Sequence, residues 1–154
     1  FRDGELEAMK KRTSVTINEK AISILKANDI QISASFIVQP DYDDEDFKKL
    51  GDYVISLELR EPIFTVLTPL PGTDLYEREK HRLTTTNYEL FDLLHCVLPT
   101  RLPLDRFYEC LYELYSRCYS VQERTGKEAF TPEIARQVYQ GIMRSPATGA
   151  GKVH

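Results

Sequence analysis

Apolar and polar positions alternate along this chain in two distinct rhythms, and the changes of rhythm mark its elements. Ile17, Ala21, Ile24 and Leu25 recur at helical spacing behind Ser14 and Thr16, either of which can cap a helix that ends at Asn28-Asp29. A shorter helix is expected before it, over 3–11, with Asp3 as its cap and Leu6 and Met9 one turn apart. From Ile30 the period falls to two, and Phe36-Ile37-Val38 closes the run as a continuous apolar triplet stopped by Gln39-Pro40. That is the look of a strand buried on both faces at its far end. Phe47, Leu50, Val54 and Leu57 return to the helical period after the acidic run 41–46. A second β-favouring run, Pro62 to Leu67, then ends on Thr68-Pro69-Leu70-Pro71-Gly72-Thr73.

Strand, helix, strand with a connection of this length predicts a right-handed parallel crossover. The turn that follows is stiff. Two prolines fix φ, Gly72 opens backbone angles closed to other residues, and Thr73 can cap a short helix over 74–80. In parallel α/β folds ligands collect at the carboxyl ends of strands, so this loop is the first candidate for part of a site. Further on, the pattern over 88–98 fits neither period. Pro103 opens the longest helix, about 104–122, with Phe107, Leu111, Leu114, Tyr115 and Cys118 as its apolar stripe. Thr131-Pro132-Glu133 opens a last short helix, and 144–154 reads as a disordered tail. The expected organisation is 1–86 for the strand unit and its helices, 87–143 for a mainly helical cap, and 144–154 for the tail.

The 154 residues are enough for one core but short for a complete eight-stranded barrel. A net charge of -4, with basic residues spread rather than striped, argues against a nucleic-acid partner. The run 41–46 invites calcium, but it lacks the glycine and closing glutamate of an EF-hand, and carboxylates suit a helix N-terminus in any case. Cys96, Cys110 and Cys118 fit no zinc or iron–sulfur spacing, so burial in a reducing cytoplasm is the expectation. His95 beside Cys96 invites a Cys/His catalytic reading, but neighbours on a regular element point apart. No metal site is read from the residues, and the opening without Met reads as an excised piece.

The segments MKKRTSVTINEKAISILKANDIQISASFIVQPDYDDEDF, FTVLTPLPGTDLYE and FDLLHCVLPTRLPLDRFY, from about Arg2 to Tyr119, resemble the downstream half of radical S-adenosylmethionine enzymes of the cobalamin-binding branch. The paired strand ends FIVxP and LTPLPGT carry the resemblance, and LPTRLPL is most similar to hopanoid C-3 methylases. Anaerobic magnesium-protoporphyrin ester oxidative cyclases share the branch.

The resemblance implies an α/β fold: the C-terminal part of a partial (β/α) barrel, followed by a helical segment. It implies a parent with S-adenosylmethionine, a [4Fe–4S] cluster and cobalamin, methylating an unactivated carbon of a hydrophobic or tetrapyrrole substrate. Ile37, Val38 and Gln39 at one strand end, and Leu67, Thr68 and Pro69 at the other, would meet the adenine, with Lys11 at the methionine carboxylate. Gln39 stands where many relatives have glycine, so its side chain can take over a contact. The CxxxCxxC run that holds the cluster is absent, so the chain alone is expected to bind no cofactor and to be inactive. Its expected partners are the missing N-terminal half of the same enzyme and a hydrophobic small molecule, with self-association through bare strand edges. An oxidative cyclase parent and a non-catalytic assembly module stay open as other readings.

Overall fold

The structure is a computed structural model and describes residues 2–59 and 61–120, with 137, 140 and 141. The order is α1 (Asp3–Ala8), α2 (Val15–Ala27), β1 (Ser33–Val38), α3 (Asp44–Ser56), β2 (Glu61–Val66), α4 (Asp74–Glu79) and α5 (Leu104–Ser120). Single 3-10 turns lie at Lys80–Arg82 and Tyr88–Leu90. The expected helix after Thr131 and the tail 144–154 fall outside the described residues.

β1 and β2 form a two-stranded parallel sheet joined through α3, with Phe36 opposite Phe64 and Val38 opposite Val66. The α/β reading thus holds at the level of a parallel strand–helix–strand unit. Each helix start has a local cause. Ser14 Oγ accepts from Ile17 N–H, Thr73 Oγ1 from Tyr76 N–H, and Asp43 and Asp46 exchange bonds in a capping box ahead of α3. The acidic run therefore serves the helix it precedes. Asp3 does not cap α1, whose cap position is Arg2. Instead its carboxylate accepts from Val15 N–H at 2.7 Å and joins α1 to the start of α2.

The core lies on one side of the sheet. Val38, Phe64 and Val66 are closed off by α3 and α5, through Phe47, Leu50 and Val54 on one and Phe107, Leu111 and Leu114 on the other. Phe47 and Phe107 meet edge to face at 5.4 Å, and Arg106 of α5 grips Asp44 at the head of α3. The predicted stripe of α5 is buried throughout.

Two apolar runs behave otherwise. Ile17 and Ile24 of α2 are more than half exposed, and α2 has no buried residue. The opposite face of the sheet is also open, with Ile37 36% and Ile63 42% exposed. Burial on both faces, expected for the end of β1, is found only on the helical side.

Candidate functional site

The two strand ends stop side by side, where Leu67 N–H donates to Val38 O at 2.9 Å. Alternation sorts the six sequence-predicted residues there into two groups. Ile37 looks onto the open face, and Gln39 and Leu67, both half-buried, continue the same alternation. Val38 is fully buried on the helical side, which leaves only its backbone to a ligand. Thr68 is also buried, its hydroxyl donating to Val66 O at 3.0 Å, and Pro69 is buried beside it. Lys11 lines, with Ile37, Ser35, Asn18 and Tyr53, a cavity of about 510 Å³ between the two N-terminal helices, β1 and α3.

Other segments bring their polar groups to the same end. Arg101, in the LPTRLPL segment, donates its N–H to Pro40 O at 3.0 Å and places its guanidinium 3.0 Å from Asp43. Lys10 reaches Asp74 at 2.6 Å and so ties the residue before Lys11 to the first turn beyond the proline loop. This pair is fully exposed, so it contributes little to stability. Gln39 contributes a buried Nε2 with no partner among the described residues. A buried amide donor left bare costs about 1–3 kcal/mol, so the arrangement is suited to an incoming acceptor.

Sequence reasoning missed one constellation. Leu93, with φ +67°, turns its carbonyl onto Val66 N–H at 2.7 Å and anchors the 91–98 segment against the last residue of β2. Tyr108 of α5 holds the same segment, donating to Leu94 O and accepting from Cys96 N–H. Between these anchors Asp92 accepts from the N–H groups of Leu94 and His95 and lies 2.8 Å from His95 Nδ1. Burial opposes the charge on Asp92, but these hydrogen bonds outweigh it and hold its carboxyl below the usual range. The signal in the sequence was Asp92-x-x-His95, the spacing of a side-chain-capped turn, rather than the neighbouring Cys96.

Cys96 donates to Leu98 O, and burial pushes its thiol up to about 11. Burial likewise pushes Cys118 up to about 11 and Cys110 to about 12. No group of three or more His, Cys, Asp or Glu side chains among the described residues could hold a metal ion. No described helix is long and apolar enough to cross a membrane.

No family model matches the chain. It is nonetheless a homologue of a hopanoid methylase and of bacteriochlorophyllide methyltransferases, matched over most of its length. The hopanoid C-3 methylase of Methylococcus capsulatus is 38% identical over 104 residues, 67% of this chain and 20% of that protein. Two methyltransferases of Chlorobaculum tepidum, for the C-12(1) and C-8(2) positions of bacteriochlorophyllide d, are 29% and 28% identical over 129 and 136 residues. These cover 79% and 80% of this chain but 28% and 29% of the relatives. The chain therefore spans between a fifth and three-tenths of the length of the curated relatives it matches. The resemblance read from FIVQP, LTPLPGT and LPTRLPL is shown by these relatives.

Proposed function

We propose that this chain forms the last two strands and the helical cap of a cobalamin-dependent radical S-adenosylmethionine methyltransferase, a cytoplasmic enzyme that methylates an unactivated carbon of a hydrophobic or tetrapyrrole substrate. The observation that carries the reading is the meeting of the FIVQP and LTPLPGT strand ends with the LPTRLPL segment at one end of the sheet, in a homologue of methylases.

The residues present suit S-adenosylmethionine. Ile37 and Leu67 offer an apolar wall, Gln39 Nε2 a donor with no partner among the described residues, and Lys11 a cation for a carboxylate. A strand end locked by Pro69 and Pro71 holds that wall without reorganisation on binding. The three cysteines do not suit an iron–sulfur cluster, because they are not gathered at one place: no group of three or more His, Cys, Asp or Glu side chains among the described residues could hold a metal ion. The cluster, like the cobalamin, belongs to the remainder of the proposed protein, and no step is assigned to it on this chain. In that protein S-adenosylmethionine supplies the carbon radical chemistry. This chain's part is to bind the nucleoside, orient it and keep water from the open sheet face.

That remainder would dock on the free edge of β1 and on the bare face of Ile37 and Ile63, which pair with no other strand among the described residues. In its absence the same edge is where two copies would add to one another.

The test is S-adenosylmethionine binding by the complete protein, compared with Ile37→Asp and Leu67→Asp. A carboxylate set into the apolar wall should weaken binding at least roughly tenfold, with the melting temperature unchanged because both positions face away from the core. Binding equal to the parent's in both variants would remove the strand ends from the site. A reading frame without an upstream cysteine triplet would remove the radical chemistry altogether.

A further inference from the structure

Asp92 and His95 are held with more constraint than a surface turn requires. The carboxylate is ionised and can only accept, so the hydrogen between Asp92 Oδ2 and His95 Nδ1 belongs to the imidazole. In the neutral ring that leaves a lone pair on Nε2, and Nε2 is buried with no partner among the described residues. Three bonds fix the ring and its backbone: His95 N–H and Nδ1 on Asp92, and Cys96 N–H on the Tyr108 hydroxyl. The segment keeps this geometry through a left-handed Leu93, and such strain in a branched residue collects where a site needs it. Leu93 is bonded to the end of β2, so the dyad stands beside the strand end that carries Leu67 and Thr68.

We propose that Asp92 and His95 form a substrate-binding dyad, in which Asp92 fixes the tautomer and His95 Nε2 accepts a hydrogen bond from a hydroxyl or N–H group of the molecule methylated at the strand ends. The assignment rests on the reading under Proposed function for the identity of that molecule, and on the dyad's own geometry for the contact. Asp92 is the positioning residue, because it acts only through the imidazole. Cys96 takes no part, since its thiol is turned to Leu98 O.

The dyad is tested in the complete protein, with a hopanoid and a bacteriochlorophyllide as probes. Imidazole nitrogen-15 spectra of the unliganded protein should show His95 protonated at Nδ1 and bare at Nε2; a proton on Nε2 would overturn the inference with no variant needed. His95→Ala should weaken probe binding by roughly tenfold, and His95→Gln, which returns an amide oxygen near the Nε2 position, should recover part of it. Asp92→Asn keeps an oxygen for the Leu94 and His95 N–H groups but turns an N–H toward Nδ1, which moves the ring proton to Nε2. It should match His95→Ala in binding while staying folded at neutral pH, with a melting temperature only modestly below the parent's. S-adenosylmethionine affinity should be unchanged in all three variants. If the parent protein binds neither S-adenosylmethionine nor a probe, the proposed function fails. If it binds both, and His95→Ala and Asp92→Asn each bind the probe as well as the parent does, the dyad alone fails.

Discussion

The Tyr115 hydroxyl donates to Phe64 O at 2.7 Å and accepts from Phe64 N–H at 3.1 Å, so a single side chain of α5 occupies both outward-facing backbone groups of one residue in β2. Tyr119 adds a bond to Pro62 O, Leu93 O takes Val66 N–H, and Pro62 has no N–H to offer. The outer edge of β2 is thus closed by tyrosines and a loop, whereas the free edge of β1 pairs with no strand among the described residues. A sheet finished on one side and unfinished on the other has a direction in which it can grow.

Tyr115→Phe tests that closure. The ring stays against Phe64, but a buried N–H and C=O both lose their partner, which should cost about 1–3 kcal/mol in urea unfolding. Tyr119→Phe removes the hydroxyl that donates to Pro62 O, at a partly exposed position, and should cost less. Equal, negligible losses would show that the edge is closed by packing alone.

The acid limb of stability should be steep. Asp92 and Asp46 are both held below the ordinary value of 3.8; burial opposes this, but it is outweighed at Asp92 by the His95 and Leu94 N–H groups with the His95 ring, and at Asp46 by the Arg2 guanidinium ahead of the Asp43 N–H. A carboxylate with a depressed folded pKa contributes stability above its unfolded value, and that contribution is lost as pH falls through the folded one. The melting temperature should therefore be flat between about pH 5 and about pH 8 and drop below 3.8. Asp92→Asn should make the drop shallower, and an unchanged acid limb in that variant would count against the hydrogen bonds assigned to Asp92.

The thiols set the alkaline side. Burial raises Cys96 and Cys118 from 9.0 to about 11, so at pH 8 their thiolate fraction falls about a hundredfold below that of a free cysteine. A thiol reagent should label them slowly in the folded chain and fast in urea. A group kept neutral by folding costs nothing below its unfolded pKa and lowers stability as pH rises above it. Melting should thus decline beyond about pH 9. Rapid labelling at pH 8 would contradict the burial.

How much of this was legible beforehand follows the range of the interactions. Ser14, Thr73 and the Asp43–Asp46 box act within three residues, and Phe107 to Cys118 repeats at one helical period, so pattern alone located those helices. The parallel pairing could be read from the strand–helix–strand spacing. The open face of Ile37 and Ile63 could not, because a run of apolar residues at a strand end looks the same whether a second layer covers it or a separate stretch of chain must. Tyr115 on Phe64, 51 residues apart, left no trace either, since a helix tyrosine reads as packing until the strand edge beside it is known. The strand ends that carry Ile37 and Leu67 could be placed from pattern, and the structure sets them side by side. The pairing of His95 with Cys96 was rightly set aside, but Asp92 went unnamed as its partner because it lies in a turn that no period describes.

Gly51 offers a prediction in which two effects of similar size compete. A Cβ there would lie 2.8 Å from Arg117 Nη1 and 3.3 Å from Leu114 Cδ1, so α3 and α5 approach closely at this point. Alanine gains about 1 kcal/mol of helix propensity over glycine. The guanidinium can swing aside, losing its 2.5 Å contact with Asp52, an exposed pair worth under about 1 kcal/mol. Gly51→Ala should therefore come out near neutral in chemical denaturation. Valine cannot be accommodated by moving Arg117 alone, because its branches reach the buried Leu114 and drive the helices apart. Gly51→Val should cost about 1–3 kcal/mol. If both variants are neutral, the close approach of α3 and α5 is not what holds the cap to the sheet.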